Sequence, residues 1–203
     1  RREWIASDLE GWLALHAPAH RDNKAAFAQY ARHYLGTHGG RYASDTMQLS
    51  TYIPSYADFL ASSHADGTGP RETLVIGEHY VPRHQLLPFM QRAREVLRAF
   101  GTEVIYGTIR SILRDTTSYL PWARDDFACI VFNLRTPHDT AGLARTADTF
   151  RALIDAAAEL GGSFFLTYHR YASAAQVRRW YPQFGAWLAK KREDDPAELF
   201  PST

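Results

Sequence analysis

The order of the patterned segments between residues 73 and 168 limits what this chain of 203 residues can fold into. Apolar and aromatic runs at 73–81, 104–110, 127–134 and 163–168 have the length and composition of β-strands. Apolar residues at helical spacing follow the first run and the third run. The order is therefore β-α-β-β-α-β, the split unit that gives an antiparallel sheet with two helices on one face. We expect an α+β, ferredoxin-like fold.

The segments on either side of this unit predict additional helices. Residues 1–45 carry apolar side chains at helix-like intervals, and we expect them to form an N-terminal helical segment, separate from a domain at 46–203. A strand is predicted at 46–53, and the small and polar residues 61–72 predict a loop. A C-terminal helix is predicted from Ser173 to about Lys190, interrupted by Pro182. Its aromatic side chains suggest a surface buried against another body.

Composition and charge exclude several classes of function. The 23 basic and 22 acidic residues leave a net charge of +1, which does not predict a nucleic-acid partner. No apolar run is long enough to span a membrane and no export signal is visible, so we expect a cytoplasmic location. The single cysteine excludes an internal disulfide, and the scattered histidines predict no metal site. The chain begins at Arg1 rather than Met, which suggests a processed or truncated product.

Polar residues interrupt or end the predicted strands. Glu78 and His79 lie in the first strand, and Arg110 ends the second. Because alternate residues of a strand share a face, three rows are expected on the face without helices. These rows are Tyr106, Thr108 and Arg110; Val131, Asn133 and Arg135; and Thr167 with His169. Each residue also has an ordinary structural interpretation, such as Glu78 pairing with an Arg of the neighbouring strand. Together they predict a face that contacts water or covers a ligand cavity.

Five sequence blocks in fixed order resemble one enzyme family. The blocks are 45–52 (DTMQLSTY), 77–83 (GEHYVPR), 104–110 (VIYGTIR), 166–172 (LTYHRYA) with 181–184 (YPQF), and 191–200 (KREDDPAELF). The chain resembles, from about Arg32 onward, the C-terminal half of bacterial FAD-linked oxidases of the vanillyl-alcohol oxidase superfamily. No dinucleotide-binding glycine motif, phosphate loop, zinc-protease motif or serine-hydrolase elbow is present.

This resemblance implies a function that the residues alone do not. In that superfamily an N-terminal domain binds FAD, and a C-terminal cap lays one sheet face over the isoalloxazine ring to form the pocket for a small-molecule substrate. Residues 46–203 would be the substrate or cap domain, and residues 1–45 a remnant connecting to a missing FAD-binding domain. The fragment would be inactive without that domain. Lys191, in the last block, would contact the cofactor.

The resemblance also implies individual site residues. Related sugar and polyol oxidases use Glu-x-Arg on one cap strand, a polar residue on the next and His-Trp-x-Lys on the last. The corresponding places here hold Thr108-x-Arg110, Asn133 and His169-Arg170-x-Ala172. The Glu and the Lys of the family are thus absent, which weakens the case for a sugar lactone or alditol as substrate.

The retained residues imply a division of roles. His169 and Arg110 would be catalytic, with His169 accepting a proton as hydride leaves for the flavin and Arg110 holding a polar or anionic group. The substrate would be bound by five residues: Tyr106, Thr108, Asn133, Tyr168 and Arg170. An alternative from a different class is a stand-alone ferredoxin-like binding module, without catalysis, whose aromatic helix contacts a partner.

Overall fold

The computed structural model describes residues 4–5, 17–36, 38–42 and 71–199. Its contacts divide the chain into two units, the first of Arg1–Leu74 with Arg135–Asp139 and the second of Val75–Leu134 with Thr140–Thr203. The predicted strand at 46–53, the predicted loop as far as residue 70 and the predicted domain boundary between residues 45 and 46 lie outside the described residues.

In the first unit, β1 (Trp4–Ile5) pairs in parallel with β2 (Arg41–Tyr42). Trp4 therefore lies in a strand, and the helix predicted around it is wrong at that point. A 3₁₀ turn at Ala17–His20 precedes α1 (Asn23–Gly36), which confirms helical structure in this part of the predicted N-terminal helical segment. The Oδ1 atom of Asp22 accepts the backbone N–H groups of Lys24 and Ala25 at 3.0 and 2.9 Å, so Asp22 rather than Asn23 caps α1.

The helices and strands from residue 72 onward follow the predicted order. They are β3 (Glu72–Pro82), α2 (Leu86–Phe100), β4 (Val104–Ile112), β5 (Phe127–Pro137), α3 (Thr140–Glu159), β6 (Ser163–Phe164), α4 (Ala174–Trp180) and α5 (Phe184–Asp194). The sheet order is β4-β5-β3-β6, with antiparallel pairing of β4 with β5 and of β3 with β6. Counted from β3 as the first strand, this is the order 2-3-1-4. The expected α+β, ferredoxin-like fold is confirmed.

The two faces of the sheet are built from alternate residues of the same strands. Ala128, Ile130, Phe132 and Leu134 of β5 pack against α2 and α3, where Phe89 and Phe150 are fully buried. The intervening residues Phe127, Cys129 and Val131 point to the opposite face. Towards one end, that face is covered by Ala123 and Trp122 of the connection between β4 and β5 and by Phe165. Among the described residues of the second unit, no helix contributes to this cluster, and we call this side of the sheet the helix-free face.

The C-terminal aromatic residues pack on their own unit. Ser173 and Gln176 form a reciprocal capping box at the start of α4, and the Gln176 side chain also donates to the Asp155 carboxylate on α3 at 2.8 Å. Tyr181, Phe184 and Trp180 pack against Ile154 and Phe164. Tyr181 is buried between α3 and β6, whereas Phe184 and Trp180 are only partly buried there, so this region offers a smaller aromatic surface to another body than we expected.

Within the described ranges, no helix combines the length and the apolar character needed to cross a lipid bilayer.

Candidate functional site

The face of the sheet opposite α2 and α3 carries most of the polar residues singled out in the sequence. The register of β4 and β5 sets Arg110 opposite Cys129, Thr108 opposite Val131 and Tyr106 opposite Asn133. Because directly paired residues point to the same side, two of the three expected rows lie side by side. Arg135 of the second row and Glu72, which both belong to the first unit, form an ion pair with 2.7 Å between Nε and Oε2.

Glu78 is the centre of a hydrogen-bonded cluster on this face. Glu78 is only 8% exposed, and its Oε2 atom accepts a hydrogen bond from the Tyr80 hydroxyl at 2.7 Å. The Oε1 atom accepts the Tyr168 hydroxyl at 3.2 Å and lies 3.7 Å from Nη1 of Arg110. The Cys129 thiol lies 3.6 Å from Oε2. A buried carboxylate thus has three donors and one cation around it, which is the arrangement that makes its burial tolerable.

Glu78 reaches Arg110 across an intervening strand. Since β5 lies between β3 and β4, the Glu78 carboxylate approaches the guanidinium over the position of Cys129. The ordinary interpretation of Glu78, as the partner of an Arg on the neighbouring strand, is confirmed for the residue type but wrong for the strand, because Arg110 lies on the next strand but one. The pair connects a buried carboxylate with an exposed guanidinium, because the Glu78 side chain is 9% exposed and the Arg110 side chain is 51% exposed.

Burial and the Glu78 carboxylate together hold the neighbouring acids in their neutral forms. Desolvation is the larger cause that raises the pKa of Tyr80, followed by its hydrogen bond to Glu78. The same two groups of causes raise the pKa of Tyr168. Burial, then the charge of Glu78, raises the pKa of the Cys129 thiol to about 12. Cys129 is therefore a buried neutral thiol and an unsuitable nucleophile.

The cluster presents two groups to the outside. The Arg110 guanidinium and the Tyr168 residue, which is 46% exposed, both reach the surface from the buried carboxylate. A guanidinium and a phenol are donors that can hold an anionic or hydroxylated molecule. The tyrosine hydroxyl can also pass a proton to Glu78, because its oxygen can accept one proton as its own moves to Oε1.

His169 lies apart from these residues. Strand β6 ends at Phe164, and residues 166–168 bend away, so the predicted strand to residue 168 is wrong and the row of Thr167 with His169 does not form. The His169 ring packs 4.2 Å from the Phe150 ring of α3, between centroids. Burial lowers its pKa to about 4. The structure therefore places His169 with the helix-side core and not on the face that carries Arg110.

The remaining predicted residues occupy varied environments. Thr108 Oγ1 and Asn133 Oδ1 are buried on the helix-free face and have no hydrogen-bond partner in the part of the chain that the structure describes. Tyr106 is partly buried and Arg170 is exposed. Lys191, on α5, pairs with Asp195 at 3.0 Å.

Two members of the cluster, Tyr80 and Cys129, were missed from the sequence. Both look like ordinary strand residues, since Tyr has high β-propensity and a buried Cys is a small apolar residue. The alternation of side chains along a strand could have identified them, because residues 78 and 80 share a face of β3 and residue 129 shares a face with residue 131 of β5. Among the described residues, no group of three His, Cys, Asp or Glu side chains is placed to hold a metal ion.

Neither a known family model nor any curated protein matches this chain.

Proposed function

We propose that the second unit is the substrate-binding cap of an FAD-dependent oxidoreductase acting on an alcohol-type small molecule. The observation that carries the proposal is the helix-free sheet face, where a buried carboxylate supports a guanidinium and a phenol that reach the surface. Side chains held on strands and fixed by hydrogen bonds give the rigid support that a binding site needs. The five sequence blocks that resemble FAD-linked oxidases supply the choice of cofactor.

One structural observation supports a flavin against this face of the sheet. Thr108 Oγ1 and Asn133 Oδ1 are buried polar atoms with no partner among the described residues, and they lie on the face that would cover the ring. Buried polar atoms of this kind are rare unless a ligand or water satisfies them. Bound FAD would supply the hydride acceptor, in a domain that precedes the cap in the family that the chain resembles.

The roles proposed for the residues differ from those that the resemblance implies. Arg110 would hold a polar or anionic group of the substrate, and Tyr168 would orient the reacting hydroxyl. As hydride leaves the substrate carbon, the hydroxyl proton would pass to the Tyr168 oxygen while the Tyr168 proton moves to Glu78. Glu78 takes the role first expected of His169, because His169 packs against Phe150 instead. The substrate would leave as a carbonyl compound and Glu78 would hold the proton, with the hydride given up to the acceptor that bound FAD would supply.

The experiment is to express the gene with its natural upstream sequence and to record the flavin absorbance of the purified protein. Bound flavin is expected, with bleaching by alcohols or hydroxy acids under anaerobic conditions. The variant Arg110→Met should lower the rate of flavin reduction by about 10- to 100-fold without changing flavin content, since one charge-assisted contact is lost. Arg178→Met, which alters an exposed residue of α4, is the matched control. Purified protein without flavin would refute the proposal.

The alternative function, a non-catalytic interaction module, rested on the aromatic residues near the C-terminus. Tyr181 is buried inside the unit, and Phe184 and Trp180 are partly buried against Ile154 and Phe164, so this observation favours the alternative less than it did. The flavin measurement also decides between the two, since an interaction module binds none.

A further inference from the structure

A groove lies on the helix-covered side of the second unit, beside the C-terminal half of α2. Its volume is about 450 Å³. Apolar side chains form most of its wall: Met90, Ala93 and Leu97 from α2, with Phe132 from β5. Ala93 and Phe132 belong to the unit's core, whereas Met90 and Leu97 are only partly buried. The groove is thus an apolar surface continuous with the core but open to solvent, within the size range of small-molecule sites.

The mouth of this groove is positively charged. Arg94 and Arg98, one helical turn apart, line the groove together with Glu103, so its lining carries two guanidinium groups and one carboxylate. Both arginines are exposed, and within the described part of the chain neither side chain makes an ion pair or a hydrogen bond. Two guanidiniums one turn apart repel each other and are stabilised by an anion between them.

The end of α2 leaves those arginines as the main charges at the mouth. The Gly101 N–H donates to the Arg98 carbonyl at 3.2 Å, and the Thr102 N–H donates to the Leu97 carbonyl at 3.0 Å. These carbonyl groups, which carry the negative end of the helix dipole, are already satisfied by the turn at Gly101. The Thr102 hydroxyl is also engaged, by Thr149 at 2.8 Å.

We propose that this groove binds a carboxylate with an aliphatic tail. The tail lies against Met90, Leu97 and Phe132, and the carboxylate lies between Arg94 and Arg98. Neither feature alone selects this ligand. A neutral apolar molecule would leave both guanidiniums without an anion, and a small anion would leave the apolar wall in contact with water. The site belongs to the opposite side of the sheet from Glu78 and Arg110, so this inference is independent of the proposed function.

The test uses the full chain with its two methionines, Met47 and Met90, labelled at the methyl carbon. Each gives one NMR signal, assigned with Met47→Leu, and Met90 lines the groove. Octanoate is expected to shift the Met90 signal in a saturable way and to bind about tenfold more tightly than octanol, the ratio expected from one charge-assisted hydrogen bond. The double variant Arg94→Gln with Arg98→Gln should abolish that ratio. Arg178→Gln, an exposed arginine of α4, should retain it.

Three results would overturn the proposal. The first is a Met90 signal that octanoate does not move up to its solubility limit. The second is equal affinity for octanoate and octanol in the wild-type protein, which would show that the arginines recognise nothing. The third is an unchanged preference for octanoate in the double variant. Circular dichroism of each variant establishes that it is folded before its affinity is compared.

Discussion

Replacing His79 by Leu should make the protein less sensitive to acid. His79 is 1% exposed and its ring lies among the rings of Phe89, Phe132 and Phe150, at centroid distances of 5.9 to 6.2 Å. Burial first, and then the charge of His169, lowers the pKa of His79 to about 3. Burial likewise lowers the pKa of His169 to about 4. Both imidazoles are therefore neutral in the folded protein throughout the physiological range.

The sign of the pH dependence follows from these values. An unfolded His titrates near its ordinary value of 6.5, so below that pH the unfolded chain binds protons that the folded chain does not. The stability is complete above about pH 6.5 and is lost as the pH falls towards the folded values. Between about pH 7.5 and about pH 5 each His should cost about 2 kcal/mol of unfolding free energy. This figure hardly depends on the folded pKa, because both values lie a unit or more below pH 5.

The assay is urea unfolding followed by tryptophan fluorescence at several pH values between these limits. The carboxylates titrate alike in wild type and variant, so the difference between them isolates the His. His79→Leu should lose about 2 kcal/mol less than wild type over this range, whatever constant offset the substitution adds. His84→Gln, which changes an exposed side chain, should reproduce the wild-type slope. A His79→Leu slope equal to that of wild type would refute the reasoning, since it would mean that His79 titrates alike in both states.

Three further predictions concern the same unit. Glu78→Leu leaves the buried Tyr80 hydroxyl without its acceptor, and a double-mutant cycle with Tyr80→Phe, measured by urea unfolding, should give a coupling energy of about 1–3 kcal/mol. Gly162→Ala would drive a Cβ into two backbone carbonyl oxygens, which cannot yield as a side chain can. We expect a loss of about 2–3 kcal/mol in thermal or urea unfolding, against no loss for Gly185→Ala, where the space is open. The Cys129 thiol, with its pKa at about 12, should react with a chromogenic disulfide about a thousandfold more slowly in the native protein than in urea.

Each of these predictions has a result that contradicts it. A coupling energy near zero would show that Glu78 does not hold the Tyr80 hydroxyl in solution. Equal stability of the two glycine variants would show that the backbone at Gly162 is not packed against its neighbours. A rapidly reacting Cys129 in the native state would mean that the helix-free face opens to solvent.

The fold could be predicted because its signals are local. The spacing of apolar residues in α2 and α3 and the apolar runs of β3, β4 and β5 each identify an element, and their order fixes the ferredoxin-like arrangement. The length of β6 was not predictable in this way. Residues 164–168 have the aromatic composition of a strand, yet the pairing with β3 covers Ser163 and Phe164, followed by one hydrogen bond from the Phe165 N–H to the Glu78 carbonyl at 3.1 Å. A strand at the edge of a sheet has one neighbour, so tertiary contacts decide where it ends. That two-residue strand is what moves His169 away from the polar face.

The Glu78 cluster could have been predicted from the sequence, given the strand order of the expected fold. In a β-α-β-β-α-β unit with this strand order, β5 lies between β3 and β4. A long side chain of β3 can therefore reach a side chain of β4 by passing over a residue of β5. Glu78, Cys129 and Arg110 are such a set, and the register that places Arg110 opposite Cys129 completes it. His79, the next residue along β3, points by the same alternation into the aromatic core. The alternation of side chains along β3 thus places His79, a buried neutral imidazole, on one face and Glu78, a carboxylate connected to the surface, on the other. Of the two, Glu78 is the one placed to exchange a proton with a ligand.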